Sequence, residues 1–172
     1  MKEETKSRRD IKDIHLTTYL NDHLAGSVAG IELAKRCRSS NRDSELGTFL
    51  DKVVSVLKDG QDKLRELLAA FGGTESYVKQ LGAWTVEKVS RLKLNDSILT
   101  YSDLSRLIEL ETLMVAMHAQ VRMWKVLDAA RSGDPRLAGI DFLRIREQVE
   151  GLLEKIEEYH LQAGKIAVGK PE

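Results

Sequence analysis

Proline is nearly missing from this chain, 2 residues in 172, and aromatic residues make up only 5%. Because proline interrupts helices and central strands, its scarcity favours long unbroken helices. Cysteine is rarer still. The single Cys37 cannot close an intramolecular disulfide and lacks the paired spacing of a zinc ribbon or a redox motif. An excess of charge is also missing: Lys plus Arg and Asp plus Glu number 27 each, so no net positive field draws a nucleic acid or an anionic membrane surface. No apolar run reaches the ~18 residues of a membrane span, and no apolar segment of a secretory signal follows the mixed-charge opening "MKEETKSRRDIKD". These absences point to a cytoplasmic protein with neither a nucleic acid nor a membrane as partner.

What the sequence does have is helical periodicity. Residues 1–172 read as a single helical-bundle domain, long enough to bury its own core, with 1–13 a flexible N-terminus and 164–172 a frayed C-terminus. Residues 14–38 place Leu16, Leu20, His23, Ser27, Ile31 and Ala34 on one stripe. Residues 43–71 repeat apolar side chains at three and four, from Leu46 and Leu50 to Leu68 and Phe71. They are preceded by candidate caps in "SSNRDSE" and closed by Gly72 and Gly73.

A shorter helix is predicted over residues 75–92. Thr100 with Asp103 then reads as a capping box, with a staple between Leu99 and Leu104, opening a helix that runs to about residue 131. Asp134 and Pro135 break it, and Asp141 caps the last helix, with Ile140 and Ile145 as staple. The inward stripe of that helix is Phe142, Ile145, Val149, Leu152, Leu153, Ile156 and His160.

This order predicts an all-α fold, an antiparallel four-helix bundle with a shorter crossover helix between the second and third long helices. In that arrangement the chain resembles the ferritin-like superfamily, and its phrases "LNDHLAGSVAGIELAKR" and "LKLNDSILTYSDLSRLIELE" resemble uncharacterised bacterial proteins. The di-iron members of that superfamily need an inward Glu on the first and third bundle helices and Glu-x-x-His on the second and fourth. Glu111 stands where the third-helix carboxylate would lie, and Glu157 with His160 forms one Glu-x-x-His. The second long helix contains no histidine, and Glu32, the one glutamate of residues 14–38, falls about 180° from His23. The set is incomplete.

On the helix from residue 103 onward, His118 and Arg122 fall within roughly 20° of Glu111, on a stripe shared with Leu104, Leu107, Ile108 and Val115. Buried, such groups need partners. At a 1.5 Å rise, His23 and His118 fall roughly 22 Å and 24 Å from their helix ends and share one level, while Glu111 and His160 share another about 10 Å away. A dinuclear site needs metals roughly 3.5–4 Å apart, so two levels suit structural pairs better than a metal centre. Met117, Trp124 and Leu127 fall off this stripe and require cover from the crossover helix or from another chain.

"AGSVAG" lacks a phosphate-loop lysine and lies within a helix, so its small residues favour close helix packing. No nucleophile elbow is present, and no small-molecule substrate is identifiable. The reading is a non-enzymatic, self-associating bundle, a homo-oligomer with a dimer favoured, without cofactor, whose polar core pairs set helix register. The alternative is a metal-binding bundle in which His23, Glu111, His118, Glu157 and His160 ligate iron, manganese or zinc.

Overall fold

In a computed structural model of the chain, residues 2–75 and 101–169 are described, the side chains of residues 2–10 excepted. The helix expected over 75–92, and the box and staple that involve Thr100 and Leu99, lie outside the described residues. Among the described residues all regular structure is helical: α1 (Lys2–Ser40), α2 (Glu45–Ala70), α3 (Asp103–Ala130) and α4 (Phe142–Val168). Two 3-10 turns, Arg131–Gly133 and Pro135–Leu137, join the last two helices. None of these helices is long and apolar enough to cross a membrane.

The ends of the helices follow local chemistry. Ser44 caps α2 by accepting from the Gly47 N–H at 3.2 Å, and Asp141 caps α4 by accepting from the Arg144 N–H at 3.0 Å. The α3 cap is Ser102, whose hydroxyl accepts from the Ser105 N–H at 3.1 Å. At the end of α2 Gly72 adopts a φ of 71°, and the Gly73 and Gly72 N–H groups donate to Leu68 and Ala69. That is the Schellman closure expected from the Gly72-Gly73 pair.

Two expected boundaries move outward. α1 begins at Lys2, within the stretch read as a flexible terminus, where Lys, Glu and Arg are good helix formers. α4 continues to Val168, through residues 164–168 of the stretch read as frayed.

Four helices pack around apolar side chains in two clusters. One contains Leu50, Val53, Leu110, Leu113, Met117 and Ile156, and the other Leu20, Leu24, Leu64, Leu68, Trp124 and Phe142. The helices meet through named pairs. Arg38 contacts Asp51 and Gln61 contacts Ser27 between α1 and α2, whereas Lys125 meets Glu150 and Asp128 meets Arg146 between α3 and α4. Arg36 pairs with Glu109 between α1 and α3, and Phe49 packs on Tyr159 between α2 and α4.

The inward face of α3 differs from the expected one. Leu104, Ile108 and Val115 are exposed, as are Glu111, His118 and Arg122 on the same stripe. The buried stripe is Leu110, Leu113, Met117, Val121, Trp124 and Leu127, so Met117, Trp124 and Leu127 are core rather than an uncovered face. The physical reason is a competition between two amphipathic registers of one helix. Each large apolar side chain contributes roughly 1.5–3 kcal/mol when fully buried. The chosen stripe buries six of them, whereas the other would desolvate three ionisable groups.

Candidate functional site

α1 contributes Asp22, His23, Gly26, Ser27 and Gly30 to a cavity of about 150 Å³. This spacing of one and four keeps the residues on one side of the helix. Leu57 and Leu64 of α2 and Ala116, Ala119, Gln120 and Met123 of α3 complete the lining. The space exists because the facing side chains are small. A Cβ added at Gly30 would already touch the Ala116 methyl at 3.5 Å, whereas one added at Gly26 would meet nothing within 4 Å.

His23 stands at this cavity, its ring edge-on to Tyr19 with centroids 4.6 Å apart. Burial lowers the imidazole pKa below its ordinary value, against an opposing pull from the Asp22 carboxylate. Burial therefore favours the neutral ring. The Ser27 hydroxyl donates to the Leu24 carbonyl at 2.6 Å and accepts from Gln61 Nε2 at 2.9 Å.

Gln120 differs. It is 8% exposed, and its buried Oε1 has no hydrogen-bond partner among the described residues. Opposite it, the bare Cα of Gly60 makes room, since a Cβ there would come within 2.4 Å of Gln120 Nε2.

The residues nominated from sequence do not assemble into one centre. His118 is at the anticipated level, because Ala116 and Ala119 on either side of it line the His23 cavity, but its own side chain is exposed. The expected His23–His118 neighbourhood thus fails on rotation of α3 rather than on height. Glu111 and His160 do meet, with His160 Nε2 3.4 Å from Glu111 Oε1, on an outer edge where Glu111 is exposed. Glu157 and Arg122 are exposed. Among the described residues no three His, Cys, Asp or Glu side chains converge as a metal site would require.

A buried polar network forms instead from residues that the periodicity did not single out. Glu109, 7% exposed, pairs through Oε1 with the Arg36 guanidinium at 2.5 Å and accepts from the Tyr101 hydroxyl through Oε2 at 3.2 Å. Asn41 Nδ2 donates to the Tyr101 oxygen at 2.9 Å and to the Cys37 carbonyl at 2.7 Å, while Asn41 Oδ1 accepts from Arg106 Nε at 2.9 Å. Burial, reinforced by the Glu109 carboxylate, pushes the Cys37 thiol up to about 12. Such a thiol is protonated and a poor nucleophile. Cys37 belongs to the packed interior.

The signal for this network was present but weak. Glu109 lies four residues before Leu113 and eight before Met117, so it belongs to the stripe that is buried. The missing knowledge was that α1 would set Arg36 against it. Comparison with family models, with curated proteins and with solved structures finds no match.

Proposed function

We propose that this chain is a non-enzymatic helical bundle that pairs with a second copy of itself, its buried polar groups setting helix register. The observation that carries the reading is the division of α3 into two faces. Its one buried carboxylate, Glu109, is neutralised by Arg36, while Glu111, His118 and Arg122 lie outward beside Leu104, Ile108 and Val115.

The outward residues 104, 108, 111, 115, 118 and 122 are spaced alternately by four and three, the seam of a two-helix contact. Val115 is 70% exposed at its centre. A two-fold pairing places the same patch on both copies. With the seams running in opposite directions about a centre between 115 and 118, Glu111 of one copy falls opposite Arg122 of the other.

Within the chain, the contacts support an antiparallel, ferritin-like order. Contacts progress in opposite directions along α1 and α2, from Arg38–Asp51 to Ser27–Gln61, and along α3 and α4, from Glu111–His160 to Asp128–Arg146. In this proposal α2 and α3 run the same way, and the protein is cytoplasmic with no resident metal.

Light scattering and sedimentation test the pairing. A dimer is expected, and Val115→Lys should yield a monomer of unchanged helical content. A wild-type chain that stays monomeric at high concentration overturns the reading. One observation favours a second reading, the Glu111–His160 contact, which could supply two ligands to iron, manganese or zinc. Stoichiometric metal after reconstitution, lost in His160→Ala, would establish that alternative.

A further inference from the structure

We infer that the groove between α2 and α4 is a binding site for a free α-amino acid with an aliphatic side chain, held by its two opposite charges. This goes beyond the self-associating bundle and does not depend on it, since the groove shares no residue with the outward seam of α3. Its volume of about 370 Å³ lies within the roughly 300–1,000 Å³ of small-molecule sites. One face of α2 forms a wall with Asp59, Gly60 and Lys63, and one face of α4 forms the other with Arg144, Ile145 and Gln148. Gln120 of α3 reaches the groove from within the bundle.

Charge selects for a zwitterion. Asp59 and Asp141 face Lys63 and Arg144 in the lining, so a ligand of one sign meets as much repulsion as attraction. Two of these four groups are already engaged, Asp141 as the cap of α4 and Lys63 with Glu66. The Asp59 carboxylate on one wall and the Arg144 guanidinium on the other make no hydrogen bond or ion pair among the described residues. An ammonium group suits the first, and a carboxylate matches the planar fork of the second.

Gln120 specifies the carboxylate a second time. Its Oε1 is sealed in the interior, whereas Nε2 lies against Gly60, which lines this groove and not the cavity beside α1. That amide donates to nothing among the described residues, and an amide donor left without an acceptor is costly. A ligand carboxylate oxygen supplies the acceptor. The first turn of α4 also lines the groove, where the dipole of a 27-residue helix favours a negative group. The remaining lining selects the side chain. Val56, Ile140, Ile145 and Val149 are aliphatic, so a branched hydrocarbon side chain gains by burial against them.

Titration of the isotope-labelled full chain with leucine, leucinamide and 4-methylpentanoate, followed by NMR and calorimetry, tests the assignment. Leucinamide lacks the carboxylate and 4-methylpentanoate lacks the ammonium group. Leucine should bind at one site per chain, with shifts centred on the Gln120 side-chain amide, Gly60 and Ile145, and roughly tenfold or more tightly than either analogue. Arg144→Gln should bring leucine down to the affinity of leucinamide, and Asp59→Asn should bring it down to that of 4-methylpentanoate. Both positions are exposed, so circular dichroism should report an unchanged helical fold. Absence of a saturable leucine site, equal affinity for leucine and either analogue, shifts centred on Ala116 and Ala119 instead, or full leucine binding by a folded Arg144→Gln or Asp59→Asn chain would each overturn the assignment.

Discussion

The Arg36 guanidinium lies 2.5 Å from the Glu109 carboxylate, and this ion pair joins α1 to α3 with its acidic partner almost wholly buried. A charge in that position is tolerated only while it is matched. Removing one member strands the other in a medium that solvates it poorly.

Glu109→Ala is accordingly expected to lower stability by about 3 kcal/mol or more, whereas Arg36→Met combined with Glu109→Leu should lose much less. Chemical denaturation of Glu109→Ala, Arg36→Met and the double variant measures this. Single variants as stable as the wild type would remove the pair from its proposed role in setting register.

Two glycines should respond oppositely to alanine. A Cβ at Gly47 would stand 2.1 Å from the Asn41 carbonyl oxygen in the turn between α1 and α2, where no flexible side chain can yield. Gly47→Ala should therefore cost about 1–3 kcal/mol. Gly26→Ala meets nothing and should stabilise α1 by up to about 1 kcal/mol. Thermal melts of both variants make the comparison.

Arg136 ties the α3–α4 connection to α1 and α2. Its guanidinium is 2.7 Å from Asp13, 2.6 Å from Asp134 and 3.9 Å above the Phe71 ring. Lysine keeps the charge but loses the planar fork and the stacking. Arg136→Lys should cost about 1 kcal/mol, since the site is partly open to solvent, and part of that difference should vanish at high salt.

Stability should fall at both ends of the pH scale. As pH drops below about 6.5, an unfolded histidine takes a proton before buried His23 does, so the contribution of the neutral ring is intact above that point and is lost towards the lower folded value. At the alkaline end an unfolded thiol ionises from 9.0 while Cys37 holds its proton to about 12, and stability is lost across that interval. Burial raises Tyr101 as well and extends the loss. Unfolding measured across pH should show Cys37→Ala flattening the first part of the alkaline limb. In the native protein the Cys37 thiol should react slowly with a disulfide reagent and rapidly in denaturant.

Much of the scaffold was legible because it depends on neighbours in sequence. The repeat from Leu46 to Phe71 required only helical spacing, the stop at Gly72 required only a residue that accepts positive φ, and the Asp141 cap required only a short acidic side chain before an apolar run. Even the heights of His23 against the His118 turn, and of Glu111 against His160, follow from rise per residue. The cap at Ser102 was obscured by Thr100, a chemically equivalent candidate two residues earlier.

Sequence alone thus determined where α2, α3 and α4 begin and which residues share a level along them, but not how far α1 and α4 extend. It could not decide which of two stripes α3 turns inward, because each is amphipathic in isolation and the choice depends on apolar area offered by α1, α2 and α4. The same rotation exposes His118, buries Trp124, carries Glu109 to Arg36 and sets the Gln120 amide against Gly60. Those outcomes belong to the tertiary structure, since burial and charge pairing are properties of helices in contact and not of any one helix.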